Sequence, residues 1–267
     1  MRFRFLLLLL SVAAGLRGWQ VDGFFDSAAR EIPHGCSDND CLWTVEHLLT
    51  YYGVGLDKDG LQGALRDPRA DIRSMAAFKL GNDRVTEAIP WLAEALAAEK
   101  AIGTRTHMAN ALAQLGDKRG QDALESLCQS AGQSDPRAEA AVRIAATGFL
   151  ARYHKTVCND AIIDTLHLLE RPDTTRNANL MAVGLAAANY LESPTESQVA
   201  AIREIAQRWI SDQDMGVRQS ASMALARYGD VVSYQKLKAA LAIETDAWVR
   251  TRMGRDLRKM EGKPEEP

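Results

Sequence analysis

The chain reads as an all-α protein: an α-solenoid (superhelix) of about six antiparallel helix pairs with an N-terminal capping helix. Three observations predict it. Aromatic residues are only 6% of the 267 and β-branched runs are few, while Ala and Leu abound, so helix is favoured over strand throughout. Hydrophobic residues at 46% and charged residues at 25% are the balance of a chain that folds. The stretch Asp71–Gly81, "DIRSMAAFKLG", also recurs in related form as Thr106–Gly116, Ala141–Ala151, Arg176–Ala186, Gly216–Ala226 and Trp248–Arg258. Its penultimate leucines are Leu80, Leu115, Leu150, Leu185, Leu225 and Leu257, at spacings of 35, 35, 35, 40 and 32 residues. A period in that range with one amphipathic helix per copy marks a solenoid, because no unit buries its apolar face alone.

Residues 1–18 read as a signal peptide. Arg2 and Arg4 precede an apolar run from Phe5 to Ala14 and the small residues Ala13 and Gly15, and the run is too short to span a bilayer comfortably. The expected location is therefore exported, periplasmic or secreted, with no integral membrane segment in the mature chain; an uncleaved anchor is the alternative. Loss of residues 1–15 removes two arginines and takes the formal charge from −3 to −5, which offers no basic field and argues against nucleic acid as a partner.

Residues 19–55 form the expected N-terminal cap. Here "PHGCSDNDC" brings His34, Cys36, Asp38, Asp40 and Cys41 together, with His47 further on. Zinc ligation competes with a disulfide between Cys36 and Cys41, but C-x4-C is not a standard zinc spacing, and in an exported chain a disulfide is the simpler reading. The remaining cysteines, Cys128 and Cys158, complete an even set; sequence alone leaves open whether they approach. "CLWTVEHLLTYYG" (Cys41–Gly53) sets Leu42, Val45, Leu48, Leu49 and Tyr52 on one side of a capping helix. "DKDG" (Asp57–Gly60) reads as a turn and helix start rather than a calcium loop, whose glycine and closing Glu stand at other distances.

The repeats occupy residues 56–260. A second set of amphipathic segments alternates with the recurring ones: Arg84–Glu99, Arg119–Ala131, Val157–Glu170, Thr195–Ile210 and Val231–Ala242. In Val199, Ile202, Ile205, Ala206 and Trp209 the apolar steps are three and four, so each unit is a helix pair. Asp67 and Asp135 stand before prolines as expected N-caps, and Gly81 and Gly116 follow a leucine as expected left-handed stops. Residues 261–267, "EGKPEEP", form a polar tail expected to be disordered.

With Asp, then Val-Arg or Ile-Arg, small residues and Leu-Gly in order, the chain resembles the HEAT-repeat family, in its short HEAT-like, armadillo-like variety. The resemblance implies stacked pairs whose second helices line an inner face. It also implies an Asp–Arg ladder in which Arg73, Arg143, Arg218 and Arg250 bond to aspartates at neighbouring helix starts. Met108 and Ala178 stand at that position in two copies and interrupt the ladder. Tetratricopeptide repeats have a period of about 34 residues, but their Trp, Leu-Gly, Tyr order in the first helix is absent.

HEAT-like proteins include enzymes, each with its own residue signature. The di-metal hydroxylase requires repeated His-Glu pairs and this chain has none; no residue is diagnostic of a bilin lyase; HEAT-like DNA glycosylases need a basic groove. No G-x-S-x-G, H-E-x-x-H, phosphate loop or dinucleotide fingerprint occurs, and His107, His154 and His167 lie in different repeats. "YHK" (Tyr153–Lys155) reads as an inter-helix turn, and Trp91, Trp209 and Trp248 as core. The expected function is a non-catalytic scaffold without cofactors that binds a protein or peptide on its inner face, with Phe78, Lys79, Asn110, Gln114 and Gln219 as contacts. A HEAT-like enzyme of the lyase or hydrolase kind is the alternative.

Overall fold

The described residues hold thirteen α-helices, and where a side chain caps a helix start it is mostly an aspartate. The computed structural model describes residues 45–129, 136–171 and 176–262. The leader, the Cys36–Cys41 loop with its zinc alternative, Asp135 and the tail beyond Gly262 lie outside those residues. A short α1 (Val45–Tyr51) precedes six pairs: α2 (Lys58–Ala64) with α3 (Ala70–Asn82), α4 (Ile89–Ala98) with α5 (Ile102–Gln114), α6 (Lys118–Gln129) with α7 (Pro136–Leu150), α8 (Asn159–Leu169) with α9 (Ala178–Ala188), α10 (Glu196–Trp209) with α11 (Met215–Tyr228), and α12 (Val231–Ile243) with α13 (Ala247–Met260). Each second helix packs on the second helix of the next pair, from α3 on α5 through to α11 on α13. This succession is the α-solenoid that the 35-residue period predicts. Helix α1 packs on α3 with Leu49 fully buried and Val45, Leu48 and Tyr52 partly so.

Side-chain capping marks where six of these helices begin. Asp57 Oδ1 accepts from Gly60 N at 2.8 Å, Asp214 Oδ1 from Gly216 N and Val217 N, and Asp246 Oδ1 from Trp248 N and Val249 N. Thr195 and Gln198 form a reciprocal capping box at α10. Asp67 does not cap, contrary to its expected role. Its Oδ1 accepts the backbone N–H of Arg69 at 2.8 Å and its carboxylate grips the Arg69 guanidinium, which holds the loop extended and delays the helix to Ala70.

Gly116 has the left-handed φ of +84° expected of it, whereas Gly81 lies inside α3. Gly81 is small because α5 passes close by. A Cβ there would sit 2.5 Å from Gln114 Oε1 and 2.8 Å from the Ala111 Cα. Gly81→Ala is therefore expected to cost about 1–3 kcal/mol through overpacking, read as a lower urea midpoint at unchanged slope.

Three clusters of buried apolar side chains follow one another along the described residues. The first runs from Leu49 through Leu80 and Leu92 to Leu112, and the last from Ala140 and Ile144 to Met253. The middle one is the smallest, built around Leu124, Leu127, Leu150 and the disulfide-bonded pair Cys128 and Cys158, whose Cα atoms are 5.9 Å apart. Next to it, Asn110 Oδ1, Gln114 Oε1 and Thr147 Oγ1 are buried on α5 and α7 without a partner among the described residues. Unpaired buried polar atoms cost free energy, so these three weaken the stack around α5 and α7.

Candidate functional site

The recurring arginine builds the same device at both ends of the stack. In the first turn of α3, Arg73 donates from Nε and Nη2 to Glu99 at 2.6 and 2.9 Å, and from Nη1 to the carbonyl oxygens of Asp67 and Pro68. In the first turn of α11, Arg218 donates from Nε and Nη2 to Glu244 at the same 2.6 and 2.9 Å, and from Nη1 to the carbonyl oxygens of Asp212 and Gln213. Both pairs are separated by 26 residues. Each glutamate follows the last residue of a first helix and also accepts a backbone N–H ahead of the next second helix, Glu99 from Ala101 and Glu244 from Asp246. One bidentate pair thus fixes one second helix against the entry to the next.

This corrects the expected Asp–Arg ladder. Aspartates near the helix starts offer backbone carbonyls to the arginine, and the carboxylate comes from a glutamate, whose extra methylene spans from the loop to the guanidinium. Burial pushes the Glu99 and Glu244 carboxyls up, but the arginines and backbone amides outweigh it and hold both below the usual carboxylate range. The ladder also changes form elsewhere. Arg143 pairs with Glu139 within its own helix at 2.6 Å, and Arg250 donates to the backbone oxygen of Glu244. Glu170, which stands where Glu99 and Glu244 stand, is engaged by Arg208 and by Trp209 Nε1.

Beside the first clamp, a cleft of about 490 Å³ opens between the α2–α3 loop and α4, with Leu65, Trp91 and Ala95 in its wall and the Arg66–Glu94 pair (3.1 Å) at the same place. A smaller cleft of about 240 Å³ occupies the equivalent place between α10 and α12, where Ile210, Lys236 and Ala240 stand for Leu65, Trp91 and Ala95. Among the described residues no three His, Cys, Asp or Glu side chains gather as a metal site. His154, with φ of +56°, turns the chain after α7, and its Nδ1 lies 3.2 Å from Glu192; His167 is exposed on α8.

His107 is half-buried, edge-on to Phe149, and burial lowers its pKa to about 4. The unfolded chain therefore binds a proton near pH 5 that the native state does not. Its contribution to stability is fully present above pH 6.5 and is lost as pH falls towards 4, by up to about 3 kcal/mol. Urea midpoints at neutral and acid pH check this, and His107→Gln is expected to flatten that part of the dependence.

The residues expected to contact a partner divide. Phe78 is half-buried on α3. Lys79 is tied to Asp83 at 2.6 Å and to Glu46 of α1 at 3.1 Å, so its ammonium braces the cap. Gln114 is half-buried with its oxygen against α3, while Asn110 (2% exposed) and Gln219 (4% exposed) are buried in the stack and offer no side chain to a partner. The expected surface was drawn from polarity, but second helices are enclosed on several sides by both neighbouring pairs, and their polar positions fall inside as often as out. Trp209 is core as expected, Trp91 half-lines the first cleft, and Trp248, expected in the core, is 42% exposed because no helix follows α13 among the described residues. Sequence reasoning missed Glu99 and Glu244; the available signal was a glutamate closing a first helix 26 residues after a recurring arginine.

No curated protein matches the chain. A crystal structure of an engineered protein is similar at 18% identity, covering 76% of this chain and 95% of that one with a TM-score of 0.45. The family model for HEAT repeats matches residues 59–145, from α2 into α7, so the stretch that holds the first clamp, its cleft and the first three helix pairs is similar to HEAT repeats.

Proposed function

We propose that the protein is a non-catalytic, exported HEAT-repeat scaffold whose curved face of second helices binds another protein or a peptide. The observation that carries this reading is the paired clamp. Arg73–Glu99 and Arg218–Glu244 lock successive second helices to each other before any partner arrives, so association loses little conformational entropy. The charged groups of these clamps are consumed in holding the stack together, which suits a presenting surface better than a reacting one. Export is supported by the leader-like residues 1–18 and by a disulfide between Cys128 and Cys158, which an oxidising compartment preserves.

A photo-crosslinking side chain at position 78 on α3 is expected to give a discrete protein adduct in the exported fraction. The control position is Lys236, exposed on the first helix α12. Adducts from position 236 alone would reject the curved-face reading. Recovery of the chain with Met1 still attached and both cysteines reduced would reject export.

A further inference from the structure

The last helix differs from every second helix before it in what its outer surface carries. Helix α13, "AWVRTRMGRDLRKM", holds five cations (Arg250, Arg252, Arg255, Arg258 and Lys259) against one anion, Asp256, in a chain whose total formal charge is −3. The helical period places Trp248, Arg252, Arg255 and Lys259 along one stripe, to one side of the buried Val249 and Met253. Asp256 faces inward, accepting from Ser222 Oγ of α11 at 2.7 Å and from Arg252 Nε at 3.1 Å. No hydrogen bond or ion pair joins Arg255 or Lys259 to the described residues, both are exposed, and the half-buried Arg258 has an Nε without a partner.

In the repeat register, Trp248, Thr251 and Arg252 occupy the positions held in α11 by Gly216, Gln219 and Ser220. Those three are buried in α11, which packs against a further second helix, whereas Trp248 and Thr251 are exposed in α13, against which no further second helix packs among the described residues. A helix face open to water needs to be polar for solubility, but solubility alone does not require one sign of charge or an exposed tryptophan. We infer that the α13 stripe is a docking surface for an acidic segment of a partner protein, which lies where a further second helix would pack. Its carboxylates pair with Arg255, Arg258 and Lys259, and an apolar side chain rests on Trp248.

Charge geometry selects this occupant over a membrane or a nucleic acid. Fields between exposed charges fade over about 8–10 Å at physiological salt, so a short acidic segment laid on α13 meets the local cations alone. An anionic bilayer or a duplex is extended and also faces the acidic remainder of the chain. Arginine, which supplies most of the stripe, matches carboxylates in two-point pairs.

The surface is independent of the curved-face proposal, and a test on α13 leaves crosslinking from position 78 unaffected. The probe is a fluorescent peptide of the length of α13 with glutamates at helical spacing and one central leucine. Titration into the full mature chain is expected to give saturable anisotropy that weakens as salt rises and is absent for the glutamine counterpart. Arg255→Glu/Lys259→Glu is expected to weaken binding at least about tenfold, and Trp248→Ala severalfold, with circular-dichroism melts reporting that both variants remain folded. Lys259→Glu alone, at a fully exposed position, serves if the double variant melts early. The proposal is overturned by the absence of saturable binding, by binding that survives the charge reversals, or by reversal-sensitive binding to phosphatidylglycerol vesicles in place of the peptide.

Discussion

Replacing both Cys128 and Cys158 by serine, or reducing their disulfide, is expected to remove about 3–4 kcal/mol and to split a cooperative unfolding transition in two. The first part follows from closing a loop across a sequence separation of 30, which restricts the unfolded chain by about that much. The second follows from where the bridge lies. It ties α6 to the start of α8 through the smallest of the three apolar clusters, beside the buried and unpaired Asn110, Gln114 and Thr147. In a repeat stack each pair is held only by its neighbours, so weakening one junction uncouples the two sides. Urea unfolding followed by circular dichroism reads the loss. Hydrogen exchange is expected to show protection falling first in α6 and α7, while the cluster around Ile205 and Leu225 stays protected. An unchanged midpoint with one sharp transition would refute both parts.

Glu244→Ala is expected to cost about 3–5 kcal/mol, and Glu99→Ala about the same. Each glutamate side chain is only 3% exposed and each arginine partner under a fifth, so removal leaves a guanidinium largely out of water without its counter-charge. It also frees backbone N–H groups ahead of the next helix, Asp246 in one case and Ala101 in the other. The two variants act at opposite ends of the stack and are expected to add within a few tenths of a kcal/mol. The sign with pH follows from carboxyls held below their ordinary value. The clamps contribute fully above the unfolded pKa of 4.5, and the contribution is lost as pH falls through the lower folded value. The wild type is therefore expected to lose stability below pH 4.5 more steeply than Glu99→Ala/Glu244→Ala, measured as the difference in urea midpoint across that range.

Much of the architecture was legible because its causes are local. The steps from Ile202 to Trp209 spell a buried face and Gly116 spells a left-handed stop, each within a few residues. Asp67 and Gly81 depart from their expected roles for two different reasons, one local and one distant. Asp67 is taken up by Arg69 in the loop, and Gly81 is small because of Ala111 and Gln114, thirty residues on. The candidate surface was less legible than the fold. Asn110 and Gln219 are polar and central on their helices, yet both are enclosed, whereas Trp248, apolar and in register with buried residues, is open.

The sequence by itself determined that this chain is a succession of helix pairs, since the period of its leucines and the helical spacing of its apolar residues need no partner to be read. Tertiary structure alone decided which carboxylate answers each recurring arginine, where the stack is thin enough to depend on a disulfide, and which residues at its end remain uncovered. Repetition makes successive units alike in sequence, but burial depends on which neighbours pack against each unit, and among the described residues α11 has a second helix on a side where α13 has none. The same register position is therefore core at Gly216 and surface at Trp248.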